Sequence, residues 1–473
     1  MIALTLREIA DAVSGTVHDG DDQILVTAPF FVDSRKVLVG GLFAALPGKS
    51  VDGHDYVDAA MAGGAAAVLA ERPVGVPAVV VPDGVDALGR LSRLLLDRRA
   101  ACEGPAMTLI GITGSAGKTT TKDLTSHLLG GLGVTVATPG NFNNEIGLPL
   151  TVSLIEPDTR FLVLEMGARH IGHIAYLCEI APPSVGIVTN VGTAHIGEFG
   201  GVEAIAKAKG ELVESLPTEG LAVLNADDPR VASMRPRSKA NVALYGVAPE
   251  ADIRAEDVTL DERGRPRYTL HTPEGSAPVA MLMTGEHQVS NALAAAAVAR
   301  HVGLGVEEIA AGLSTATPAS RGRLEITDRP DGVTVVNDAY NANPHSTRAA
   351  LNALTAMSGG RRTIAVLGAM MRLGDLAESE HRAIGAMIAE LGIDLLVTVD
   401  GALAGEEAQW LAEGAAQAGA NVVKTTDNVE ARALLEQTLR SGDIVLLKAS
   451  KPVGLQPLGE QLAGQSEAVG AAR

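Results

Sequence analysis

A chain of 473 residues, 46% hydrophobic and 20% charged, is globular and too long for one core; about three domains are expected. Its 38 basic against 56 acidic residues leave a net charge of −18, which repels nucleic acid and anionic membranes, so an anionic substrate needs local Lys and Arg clusters and metal ions. Aromatics at 3% offer little base-stacking surface, and two cysteines, Cys102 and Cys178, build no disulfide framework. With no signal-peptide layout and no apolar run near the ~18 residues of a membrane span, a reduced, cytoplasmic location is expected.

Residues 1–103 alternate short helical and strand patterns. Ala65–Ala70 and Ala78–Val81 read as buried strands, and Arg90–Ala101 as an amphipathic helix leading to a break at Glu103-Gly104-Pro105. Three polar stretches stand out before the helix: Asp33-Ser34-Arg35-Lys36, Gly41 to Lys49, and Asp52-Gly53-His54. Ser, Arg and Lys in one turn can hold a diphosphate; a solvated turn fits the composition equally well.

From 106 to 317 the alternation is that of a mostly parallel sheet, with apolar strands at 107–112, 161–164, 185–189 and 221–224. The first enters the loop Thr113-Gly114-Ser115-Ala116-Gly117-Lys118-Thr119-Thr120-Thr121 and then a helix. Strand, Gly-rich loop, Lys and helix in that order grip a triphosphate. Glycines admit backbone N–H groups to the phosphates, Lys118 neutralises β/γ charge, and the Thr119 hydroxyl can ligate Mg²⁺. Ile112 stands where the strict pattern has its first glycine. The cluster Asn141 to Pro149 after that helix is dense in amides, as ligand-touching loops often are. Glu165 ends the strand Phe161–Leu164, and strand C-terminal ends line the ligand crevice of open parallel sheets, so it is expected to face the phosphate loop and Mg²⁺. His195, in the loop after the 185–189 strand, is placed at the same edge for a metal or phosphate role. In the helix Val202–Leu216 the apolar stripe runs through position 209 and away from 207, so Lys207 should be solvated and Lys209 buried. A buried amine resists protonation, so Lys209 either takes up CO₂ as a carbamate, an anionic oxygen ligand, or binds an anion as an ordinary cation. Asn291 begins an Ala-rich packed helix running to Arg300. No Asn-Lys-x-Asp guanine reader follows the phosphate loop.

After a second break at Thr317 to Gly322, residues 320–473 form another doubly wound unit, with strands Val333–Val336, Thr363–Leu367, Leu395–Val399 and Ile444–Leu447. The polar loop Asn337-Asp338-Ala339-Tyr340-Asn341-Ala342-Asn343-Pro344 follows the first of these; Asp338 and Asn341 can bond a ribose or base, or the cluster can be a cap and turn.

Six segments in this order resemble the Mur ligases, ATP-dependent amide-forming enzymes of peptidoglycan precursor synthesis: 33–36, 141–147, 165–168, 189–195, 208–211 and 337–344. They look most like the branch that adds a D-alanyl-D-alanine dipeptide, since the Asn-Pro-Arg signature of the diamino-acid-adding branch is absent. The resemblance implies an α/β protein of three domains: a small substrate domain (1–103), a central P-loop ATPase domain with a parallel sheet (106–317) and a C-terminal Rossmann-like domain (320–473). It implies that Ser34, Arg35 and Lys36 lie near the UDP of UDP-N-acetylmuramoyl-tripeptide and that Gly114, Ser115, Ala116, Gly117, Lys118, Thr119 and Thr120 hold ATP. Thr119 and Glu165 would ligate one Mg²⁺, and His195 with a carbamylated Lys209 a second. Lys118, Lys209, His195 and Asn144 would be catalytic. Asn291 would stand near adenine, Arg323, Asp338 and Asn341 at ATP, and Tyr340 with Asn341 on the nucleotide or dipeptide side. A monomer acting on D-alanyl-D-alanine, without nucleic acid, is expected. The rivals are a folylpolyglutamate synthase-like ligase and a non-catalytic P-loop module. Two departures from the family pattern, at Leu367 to Gly374 (Ala369 and Arg372 replace acidic residues) and at Lys448-Ala449-Ser450-Lys451 (Lys replaces Arg), change the last-domain contacts, including those that select the dipeptide.

Overall fold

The computed structural model describes residues 1–48, 51–193, 196–401 and 405–464. Its α/β architecture is organised around three main sheets, in chain order. The first has the strand order Thr16–His18, Ala78–Val80, Ala67–Ala70, Gly41–Ala45, Ala28–Phe31, parallel except for the Thr16–His18 edge. Its helix Gly84–Ala100 starts six residues before the sequence reading because the Asp83 carboxylate accepts from the N–H groups of Val85 and Asp86. Buried Leu88, Leu91 and Leu95 of that helix join a single apolar core with Leu162 of the central sheet and with Leu148 and Ile174 on helices of the central unit. Arg99 seals this junction by donating from Nε to the Thr159 carbonyl (2.8 Å).

The central sheet has nine strands. Thr108–Thr113 lies third from one edge, between Val185–Val188 and Phe161–Glu165, and all three run parallel. In register Glu165 stands opposite Ile112, and Val188 opposite Thr113, so their C-terminal ends emerge side by side around the loop 114–117. The parallel run extends through Leu221–Asn225 and Asn241–Gly246 to Ile253–Leu260. Antiparallel strands Pro266–Thr272 and Gly275–Ala280 then close that side. This meander is absent from the sequence reading: Ile253–Leu260 is largely exposed beyond Ala255 and carries a register shift between Glu256 and Thr259, so it lacks a clean apolar run. The helix Gln288–His301 is longer than the expected 291–300, and its buried Ala292 to Ala299 run packs close to the phosphate-loop helix Lys118–Gly130.

The third sheet orders Glu325–Asp328, Thr334–Asn337, Ile444–Lys448, Thr363–Leu367, Leu395–Val399, Val422–Thr425. It is parallel but for its Glu325–Asp328 edge, with an apolar core on each face as in a doubly wound unit. Among the described residues no helix is long and apolar enough to cross a membrane.

Candidate active site

The phosphate loop is shaped by backbone positions that a side chain would disrupt. Gly114 (φ +152°) and Gly117 (φ +81°) have positive φ, and a Cβ on either would collide with Thr189 Oγ1 or Asn291 Oδ1. Asn190, from the neighbouring strand end, fixes the loop: its Oδ1 accepts from the N–H groups of Ser115 (3.1 Å) and Ala116 (2.9 Å), and its Nδ2 donates to the Ala116 carbonyl (3.2 Å). In the sequence Asn190 is only one member of the 189–195 segment, yet it is the side chain that holds the loop. Asn291 reaches the loop helix from the Ala-rich helix; its Oδ1 accepts from Thr121 Oγ1 (3.4 Å) and its Nδ2 donates to Gln288 (2.8 Å).

Lys118 donates to the Gly114 carbonyl (2.8 Å), and burial pushes its pKa below the usual lysine value, against the attraction of Glu165. Thr119 donates its hydroxyl to Glu165 Oε2 (2.8 Å), and Asn143 Nδ2 donates to the other carboxylate oxygen (2.8 Å). Glu165 is buried at 3% exposure, at the end of a strand paired on both sides. Arg323, from the third unit, donates from Nη2 to Thr119 Oγ1 (3.1 Å) and lies 4.3 Å over the Tyr340 ring. Asn343 Nδ2 also crosses between units, to the Ser115 carbonyl (3.5 Å).

These groups line one cavity of about 890 Å³, whose walls come from the central and third units together. Ser115 to Thr120, Asn144, Glu165, Lys209, Arg323 and Asn341 all border it. Lys209 is 5% exposed and Lys207 is exposed, as the helical stripe requires. Burial, reinforced by the positive Lys118, holds the Lys209 amine well below the ordinary lysine value. Asn144 turns inward to its own loop, its Oδ1 accepting from the Gly147 N–H (2.9 Å). The neighbouring Glu211 is engaged elsewhere: its carboxylate accepts from Gly172 (2.6 Å) and Ala175 (3.0 Å) and caps the helix His173–Ile180.

Several groups stand differently from the sequence expectation, and Asn291, which bonds the loop helix, does not border the cavity. Asp338 does not border the cavity; it is buried, its Oδ2 2.6 Å from Lys448 Nζ and its Oδ1 accepting from the Leu324 N–H (3.1 Å). Lys448 also donates to the Asn341 carbonyl (3.0 Å), so the pair braces the loop that presents Tyr340 and Asn341. Ser34, Arg35 and Lys36 lie apart from the cavity lining on a turn of the first unit, with Arg35 exposed and clamped on Asp33 through Nε (2.8 Å) and Nη2 (2.9 Å). Asp52 and His54 pair internally (2.6 Å) and also bond Arg72 and the Glu71 N–H. His195 and Lys49 lie outside the described residues.

The residues present can be tested against Mg²⁺ by their donor chemistry. Thr119 Oγ1 and Glu165 supply hard oxygen donors 2.8 Å apart at the end of the phosphate loop, which suits this cation. Lys209 as a free amine is not an oxygen donor; its burial and depressed pKa favour the neutral form that a carbamate requires. Among the described residues no group of three His, Cys, Asp or Glu side chains forms a ready-made cage, so a divalent ion here would share its shell with phosphate oxygens.

Residues 112–299 match the Mur ligase middle domain, 322–451 the Mur ligase, glutamate ligase domain, and 31–93 the Mur ligase family, catalytic domain. The UDP-N-acetylmuramoyl-tripeptide–D-alanyl-D-alanine ligase of Mycobacterium tuberculosis (strain CDC 1551 / Oshkosh) is 46% identical over 98% of both chains. The crystal structure of MurF from Acinetobacter baumannii superposes with a TM-score of 0.85 at 31% identity, covering 98% of this chain and 99% of that one. That of MurF ligase from Thermotoga maritima in complex with ADP gives 0.78 at 30% identity, over 93% and 98%.

Proposed function

The chain belongs to the Mur ligase family, and from that premise we propose that it joins D-alanyl-D-alanine to UDP-N-acetylmuramoyl-tripeptide at the expense of ATP, releasing ADP and phosphate. One observation carries the reading beyond the likeness: the phosphate-loop Thr119 is held by Glu165 on one side and by Arg323 of another unit on the other, at the wall of a cavity that both units build. A nucleotide seated there meets groups from both units at once.

In this reading a terminal carboxylate oxygen of the tripeptide attacks the γ-phosphorus and ADP leaves. The dipeptide amine then attacks the acyl carbon, loses a proton, and phosphate departs with the carboxylate oxygen it received. No side-chain nucleophile is needed, so the protein's work is positioning and charge. The N–H groups of 114–119 and Lys118 cradle the β- and γ-phosphates, and Asn190 keeps that cradle in shape. Arg323, braced on the Tyr340 ring, places a cation beside Thr119. Asn291 holds the loop helix near the adenine side, and Lys448 with Asp338 sets the loop that carries Asn341. Thr119 and Glu165 would hold one Mg²⁺, and Lys209 as a carbamate with His195 a second; bound metal would screen carboxylate from phosphate. Asn144 shapes the amide-rich loop facing the donor. Residues 1–103 would bind the UDP end through Ser34, Arg35 and Lys36, with 106–317 and 320–473 closing on ATP and excluding water from the acyl phosphate. The enzyme would act as a cytoplasmic monomer.

The test is an omission series with ATP, Mg²⁺, UDP-tripeptide and D-alanyl-D-alanine, products weighed by mass spectrometry. UDP-pentapeptide should form only with all four. Unchanged product without the dipeptide, or turnover of a folate in place of the UDP-tripeptide, contradicts the proposal.

A further inference from the structure

The donor assigned above has to run from the first unit to the phosphate loop, and one wall of the cavity is continuous with that path. Helices Gly147–Val152 and His173–Ile180 pack on the first unit. Their Leu148 and Ile174 share a core with Leu88 and Leu91, and the Phe30 N–H donates to Ser153 Oγ (3.0 Å) just after the first of these helices. The loops that lead into the two helices, 141–146 and 166–172, carry Asn143, Asn144 and Arg169 to the cavity. Arg323, Tyr340 and Lys451 build the third unit's wall.

Arg169 is the uncommitted cation of the donor's wall. Elsewhere around the cavity Lys118 donates within the phosphate loop, Arg323 is committed to Thr119 and Tyr340, and Lys451 Nζ lies 5.5 Å over the Tyr340 ring. Arg372 is engaged beside Glu198 (3.7 Å), and Lys209 is buried. Arg169 is exposed, and among the described residues it makes no hydrogen bond, ion pair or ring contact. Its backbone is nevertheless pinned on both sides. The Gly167 N–H donates to the Asn143 carbonyl (2.8 Å), the Gly172 N–H donates to Glu211 Oε1 (2.6 Å), and His173 Nε2 lies 2.9 Å from Glu145 Oε2, which occupies that carboxylate. A loop fixed at both ends that presents a free guanidinium to a cavity suits an anion arriving from outside, and in a chain of net charge −18 such a local cation is what an anionic peptide requires.

The phosphates have the loop N–H groups and Lys118, and the reacting carboxylate belongs beside them. A guanidinium fork on both of its oxygens would hold back the one that attacks. Arg169 therefore fits a second carboxylate close to the reacting end. A tripeptide whose last residue is diaminopimelate carries one, on the side chain next to its amine. A tripeptide ending in lysine brings the ammonium alone, which a guanidinium repels.

We infer that Arg169 binds the side-chain carboxylate of a diaminopimelyl residue at the end of the donor peptide, and so selects that donor over its lysyl counterpart. The inference rests on the ligase reading above. The experiment measures pentapeptide formation from the two UDP-tripeptides with ATP, Mg²⁺ and D-alanyl-D-alanine saturating. Wild type should favour the diaminopimelyl donor by about tenfold or more in kcat/KM, the effect of one charge-assisted pair. Arg169→Gln should cut that preference to less than about threefold by raising KM for the diaminopimelyl donor, with kcat and KM for ATP unchanged. Its urea midpoint should match wild type, because the side chain removed is exposed and without protein partners among the described residues. Arg169→Lys keeps the charge without the fork and should retain part of the preference. A wild type indifferent to the third residue, full preference in Arg169→Gln, or an equal loss for both donors, which places the contact on a carboxylate they share, overturns the inference alone. No pentapeptide from wild type with either donor overturns the ligase reading, and this inference with it.

Discussion

Removing the ammonium of Lys448 separates a bracing role for Asp338 from a direct ATP contact. Lys448 is 2% exposed; its Nζ is 2.6 Å from Asp338 and donates to the Asn341 carbonyl at 3.0 Å. Burial outweighs the Asp338 attraction and already pushes its pKa below the ordinary lysine value, so the pair survives only because both partners are present. Lys448→Met keeps the apolar stem but strands a buried carboxylate whose remaining donor among the described residues is the Leu324 N–H. Breaking one side of such a pair costs about 3–5 kcal/mol. The chain has one tryptophan, Trp410, in the helix Glu407–Gln417 of the third unit, so its fluorescence in urea reports that unit. With a denaturant slope of about 2 kcal/mol per M, the midpoint should fall by about 2 M. Asp338→Asn should cost less, and the double variant less than the sum of the singles by about 1.5 kcal/mol or more, because neither charge is then left alone. A midpoint shift under about 0.5 M for Lys448→Met, or strictly additive singles, would refute the bracing role.

Two further outcomes follow from buried titratable groups. His287, beside the Asp338–Lys448 pair, is pushed down to about 4 by burial, against the attraction of Asp338. Between pH 4 and its ordinary value near 6.5 the unfolded chain binds more protons there than the folded one, so stability rises with pH across that window, by up to about 3 kcal/mol, and falls again as acid is added. His287→Gln should flatten that part of the urea-midpoint profile relative to wild type; identical slopes would contradict the burial argument. Lys209, with its amine depressed by burial and by Lys118, should take up CO₂: in ¹³C-bicarbonate, NMR should show a slowly exchanging carbamate signal that Lys209→Ala lacks, and a signal common to both proteins would count against it.

The phosphate loop was legible because its chemistry is written in the consecutive residues Thr113 to Thr121, and Glu165 because an apolar strand ended on a carboxylate. Lys209 was separable from Lys207 by helical period alone, and the structure buries one and exposes the other. What escaped was long-range. The partner of Asp338 lies 110 residues away in sequence, across adjacent strands of one sheet, and no local pattern connects them. Asn190 and Glu211 look like ordinary motif members until the loop and helix end they satisfy are in place. The meander closing the central sheet was hidden because its solvent-facing strands lack the apolar runs that mark the interior ones. For the same reason a polar turn at 33–36 stayed ambiguous in sequence; in the structure its arginine is occupied by Asp33.

The most direct test of the chemistry follows an oxygen atom. UDP-tripeptide labelled with ¹⁸O in its terminal carboxylate is converted with ATP and D-alanyl-D-alanine, and the released inorganic phosphate is weighed. If the carboxylate is phosphorylated beside Lys118 before the amine attacks, that phosphate carries one ¹⁸O from the peptide. Phosphate free of label, with pentapeptide formed, would mean that the amide bond is made by another route.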